Sequence, residues 1–130
     1  MASSPGTGYQ CDPESILFDR SGSAHVGQAR CPVILKFDSA GNLLGQFYAV
    51  GTNRGTDWTD LAGDQCTMFY TSEASNVLRF DVCANTQLND FSGVLHGPAY
   101  ALRPLGENGL LVADTTDIHR LDTAGNCPDL

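Results

Sequence analysis

The chain has 130 residues, enough for one ordinary domain, and 42% of them are apolar, so a true core can form. Fifteen acidic residues against seven Lys and Arg leave a formal net charge of −8, and so few scattered cations cannot line a nucleic-acid phosphate backbone. No run approaches the ~20 apolar residues of a membrane-spanning helix, and the N-terminal MASSPGTGYQ has neither the basic start nor the apolar run of a secretory signal.

Taken along the chain, the apolar runs are short and β-rich. Strands are predicted at 15–19, 24–28, 33–37 and 44–50, then at 58–61, 67–71, 77–80 and 88–91, then at 99–102, 110–113 and 118–121. Polar turns with glycine (RSGS, AGDQ, LGEN) separate the first and second run of each set. No helical period of useful length is present, and TDWTDLAG is stopped by Gly63 after one turn.

A phrase closes the third run of every set. KFDSAGN at 36–42 returns as RFDVCAN at 79–85 and as RLDTAGN at 120–126, intervals of 43 and 41 residues. Gly and Asn there can take the positive φ of a tight hairpin. Many of the aspartates are accordingly read as turn residues rather than metal ligands. A period of 40 to 45 residues with about four strands per unit marks a β-propeller.

The blades resemble those of NHL-type and lactonase-type six-bladed propellers. The matching residues are Leu111, Val112, Ala113 and Asp114 with Ile118 to Asp122 in the third copy. In the first copy they are His25 to Gln28 with Ile34 to Gly41. The resemblance implies an all-β fold, a β-propeller segment of three four-stranded antiparallel blades, half of a six-bladed ring. Blade 1 spans 13–50, blade 2 spans 51–93, and blade 3 spans 94–130 with an incomplete outer strand. Residues 1–12 form an N-terminal tail or a closing strand, the latter from Thr7 to Cys11. Three blades leave two apolar end faces bare, so the expected partner is a second copy in a head-to-tail dimer. A structural subunit of an open polymer is the outcome if that pairing does not close.

Propellers of this kind bind ligands at the channel mouth, where the inner strands start. The resemblance places Asp12, Glu14, Asp57, Trp58, Asp60 and His96 there. Glu14 and Asp57 are its candidate metal ligands, for a calcium-dependent lactonase-type hydrolase. The clear Asn and paired Asp of that family's calcium site have no counterpart. A non-enzymatic recognition or scaffold module, with a small-molecule or glycan ligand and no cofactor, is therefore preferred. No nucleophile elbow, phosphate loop or dinucleotide fingerprint is present; G-T-N-R-G at 51–55 lacks the spacing and the helix. His25 and His119 fall within strands and are read as sheet-face residues, whereas His96 lies in a loop.

Five cysteines without a close C-x-x-C pair favour disulfides over zinc, and an extracellular or periplasmic setting. A hairpin turning at Ala74 and Ser75 sets Cys66 opposite Cys83. A closing N-terminal strand brings Cys11 to Cys127. Cys31 is then left over.

Overall fold

The computed structural model describes residues 11–92 and 95–128. Their regular structure is entirely β. The first sheet holds β1 (Asp12–Phe18), β2 (Ala24–Ala29), β3 (Val33–Phe37) and β4 (Leu43–Tyr48) in that order, and β5 (Gly55–Thr56) adds to β2. The second sheet is β6 (Thr59–Leu61), β7 (Thr67–Tyr70), β8 (Leu78–Asp81) and β9 (Thr86–Gln87). The third is β10 (Ala101–Pro104), β11 (Leu110–Ala113) and β12 (Ile118–Leu121). Every neighbouring pair is antiparallel, so each sheet is a meander.

The repeated phrase makes the hairpin turns through its aspartate. Asp38 Oδ1 accepts from the Ala40 and Asn42 amides, Asp122 Oδ1 from Ala124 and Asn126, and Asp81 Oδ1 from Cys83 and Ala84. Gly41 and Gly125 take φ of 86° and 82°; in the middle copy Asn85 supplies the left-handed residue at 52°. Donation by the Asn42 and Asn126 amides holds the Asp38 and Asp122 carboxyls below the usual carboxylate range. The aspartate-rich composition therefore serves turns, as the sequence implies.

The sheets stack in series. One face of the first sheet (Leu17, Ile34, Phe47) meets Met68, Tyr70, Leu78 and Phe80 of the second. The other face of the second sheet, with Phe69, packs beside Phe91 against Leu102, Leu110, Val112 and Leu121 of the third. The inner strands β1, β6 and β10 run beside one another. In the second sheet the last strand is Thr86–Gln87, earlier than the predicted 88–91. The chain beyond it keeps contact through an isolated bridge from Val77 to Ser92.

Two disulfides form, and one differs from expectation. Cys66 and Cys83 are joined, with Cα atoms 5.1 Å apart. The register is one residue off the predicted one: Thr67 faces Asp81, so Cys66 lies across from Val82, whose amide it accepts. The Asp81 turn then swings Cys83 back over Cys66. Cys11 pairs with Cys31, not with Cys127, which is free. The reason is the first hairpin: β1 begins at Asp12 opposite Ala29, which sets Cys11 beside Cys31. Cys31 is thus not left over. The Thr7 to Gln10 part of the expected closing strand lies outside the described residues.

Candidate functional site

Antiparallel meanders put the starts of β1 and β6 and the turns β2–β3 and β7–β8 at one end of the stack. Four acidic side chains meet two arginines there. Asp12 leads β1 and pairs with Arg30 at 3.0 Å. Arg54 lies 3.9 Å from Asp12, 3.9 Å from Glu14 and 3.3 Å from Glu73. Glu14, Asp57 and Glu73 each bring an oxygen within 4.8 Å of the others. Of the six residues expected at the mouth, Asp12, Glu14 and Asp57 are brought together.

Local structure explains the placement. The G-T-N-R-G turn wraps a hydroxyl, not a phosphate: the amides of Thr52, Asn53 and Arg54 donate to Ser72 Oγ at 3.0, 3.1 and 3.0 Å. That fixes Arg54 over the rim. Arg30 and Glu73 sit in turns with φ of 71° and 49°, a left-handed conformation uncommon outside glycine that aims both side chains at the cluster.

Asp57 is the electrostatic centre. It is 3% exposed, and its Oδ1 has no hydrogen-bond partner among the described residues. Burial pushes its carboxyl up to about 7, and the neighbouring Glu14 and Glu73 carboxyls add to this against the pull of Arg54. Asp57 therefore keeps its proton well above the ordinary carboxylate range, with the Glu14 carboxyl beside it.

Calcium does not fit this set. The Arg54 guanidinium already stands among the three converging carboxylates, 3.9 Å from Glu14 and 3.3 Å from Glu73, and takes the place of positive charge that such an ion would fill.

The other three expected residues lie elsewhere. Trp58 donates its indole N–H to the Leu102 carbonyl at 3.0 Å, linking the second and third sheets. Asp60 pairs with Arg103 at 3.3 Å, and burial raises its pKa against the opposing Leu61 amide and Arg103. His96 stands edge-on to His119, ring centroids 5.4 Å apart. His25 and His119 are buried on sheet faces, each bonded to an aspartate: Asp19 at 3.1 Å and Asp114 at 2.8 Å. Arg54 and Glu73 were missed by sequence reading, because their positions depend on loops whose course follows from the Ser72 hydroxyl and a left-handed glutamate.

A second feature is apolar. The outer face of the first sheet presents Ile16, Phe18 and Tyr48, 63%, 69% and 66% exposed. The outer face of the third has Ile118, 73% exposed. It carries a depression of about 260 Å³ lined by Trp58, Ala101, Leu102, Arg103, Leu111, Ala113 and Ile118.

No family model matches the chain, and no curated protein matches it. Solved structures do. The crystal structure of the RRP9 WD40 repeats superposes with a TM-score of 0.72 at 12% identity, over 93% of this chain and 38% of that one. The structure of U3-55K superposes with a TM-score of 0.70 at 14% identity, over 93% and 39% respectively. The fold is therefore that of β-propeller blades, and the chain spans under two fifths of these neighbours' length. Blade architecture is what the neighbours share with it; they are WD40 repeats and do not carry the narrower NHL-type or lactonase-type resemblance.

Proposed function

We propose that the chain is a non-enzymatic recognition or scaffold module whose end blades associate head to tail with a second copy. The observation that carries this is the pair of bare apolar faces. A sheet face inside the stack is covered by its neighbour, as the second sheet is on both sides. The outer faces of the first and third sheets hold the same kinds of residue without such cover. They also differ in relief. Ile16, Phe18 and Tyr48 project from one, while the other offers a depression floored by Ala101 and Ala113. Projecting side chains from one copy fill the depression of the other, and two-fold symmetry repeats the contact and closes a ring. The acidic rim, lying at one end of the stack, stays open in that ring and is the surface left for a ligand.

Both disulfides lie within the chain and are compatible with an oxidising compartment. An extracellular or periplasmic location is part of the proposal. The test is light scattering on a sizing column. Twice the 13.8 kDa chain mass is expected, unaltered by a mild reductant that would cleave an interchain bridge, and halved by Phe18→Glu or Ile118→Glu. A wild-type monomer that unfolds cooperatively overturns the reading. A far larger species replaces the ring with an open polymer.

A further inference from the structure

A second polar cluster lies beside the third sheet, away from the acidic rim, and its donor chemistry is different. His96 comes from the loop before β10, Asp117 from the β11–β12 turn and His119 from β12. One ligand atom from each lies within 4.8 Å of the other two. The set is two imidazoles and one carboxylate, the donor mix of zinc-class transition metals rather than of calcium or magnesium.

The surroundings match what such a site requires. Asp114 Oδ2 lies 2.8 Å from His119 Nε2. The Thr116 and Asp117 amides both donate to Asp114 Oδ1 at 2.9 Å. A carboxylate so fixed receives the imidazole N–H and leaves the lone pair on Nδ1, the arrangement that orients metal-bound histidines. Nδ1 in turn is hydrogen-bonded with the Cys127 thiol, Sγ at 3.8 Å, so a soft donor stands beside that ring nitrogen. His119 is buried, whereas His96 and Asp117 are exposed. The anchored donor is thus rigid and the other two can rotate. Donors about 2.0–2.2 Å from a tetrahedral ion sit ~3.4 Å apart, so roughly one ångström of side-chain movement closes the set.

We propose that His96, Asp117 and His119 form a binding site for a divalent transition metal of the zinc class, with Asp114 orienting His119. The ion joins the loop before β10 to the β11–β12 turn and keeps coordination positions for a further donor.

Calorimetric titration of the metal-stripped full chain with zinc chloride tests this, beside thermal melts with and without zinc. One ion per chain is expected, with a higher melting temperature. His96→Gln and Asp117→Asn alter exposed side chains and should leave the fold intact; each is expected to weaken zinc binding ~10-fold or more and to abolish the thermal shift. Absence of stoichiometric binding overturns the proposal. So does binding that both variants leave unchanged, or binding that depends on Cys127 but not on His96.

Discussion

The two seams between sheets are built on different principles. Between the first and second sheets, apolar packing is joined at the rim end by buried hydroxyls. Ser15 Oγ donates to the Asp57 carbonyl, accepts the Thr59 amide and lies against Thr59 Oγ1, each at 3.0 Å. Gly27 makes room for this: a Cβ there would stand 2.5 Å from Ser15 Oγ and 2.6 Å from the Thr56 carbonyl oxygen. Between the second and third sheets the filling is apolar, with Phe69 and Phe91 edge-to-face at 5.0 Å over Leu110, Val112 and Leu121. The first seam is directional and carries the acidic rim. The second is filled chiefly by apolar packing, with the Trp58–Leu102 hydrogen bond and the Asp60–Arg103 pair crossing it.

This difference predicts different sensitivities. At the apolar seam, Leu110 is fully buried, and Leu110→Ala is expected to cost about 2–5 kcal/mol from lost transfer energy and the cavity left. Denaturant unfolding reads it directly. A loss under ~1 kcal/mol would mean that the seam collapses around the gap and is not tightly packed. At the polar seam, Ser15→Ala removes little volume but strands the buried Thr59 amide, an expected loss of about 1–3 kcal/mol. Restoring a hydroxyl with Ser15→Thr should recover part of it only if the β-branched side chain fits beside Gly27. A neutral Ser15→Ala would reduce the seam to apolar contact and remove the contrast.

Much of the fold was legible because its cues are local. Strand runs alternate with a period of two, and the aspartate of each repeated phrase caps its own hairpin within four residues. The Cys66–Cys83 bridge was found despite a register one residue off, since a hairpin holds both cysteines near regardless. The partner of Cys11 is not legible in this way, because the apolar run that marks the first strand begins only at Ser15 while the strand itself begins at Asp12. The polar residues Asp12 and Glu14 hid its true start, and alternation is faint where one edge of a strand meets the solvent. Half of the acidic rim was legible for a topological reason: starts of inner strands share an end. The rest was not. Arg54 and Glu73 reach the rim through loop conformations that no periodicity encodes. His96 and His119 are 23 residues apart in sequence, and their meeting depends on the third sheet being folded.

The sharpest test of the directional seam is its response to pH. Folding holds the proton of Asp57 up to about 7, while in the unfolded chain it leaves near the ordinary value of 3.8. Between those values the folded state binds more protons than the unfolded one. Stability from this group is therefore complete below about pH 4 and declines as pH rises towards 7. Asp19 acts in the opposite sense. Burial would raise it, but hydrogen bonds from Ser21, His25 and the Ser23 amide outweigh that and lower it to about 2. Its contribution is present above the ordinary carboxylate value and lost in acid. Asp57→Asn keeps the shape of the side chain and removes the titration. Thermal melts across pH 4 to 8 should then lose the downward slope, with the variant matching wild type at the acid end and exceeding it at pH 8. An unchanged slope would show that Asp57 does not carry the pH dependence. The same melts on Leu110→Ala should be displaced by a constant amount at every pH, because the substitution removes apolar volume and no titratable group.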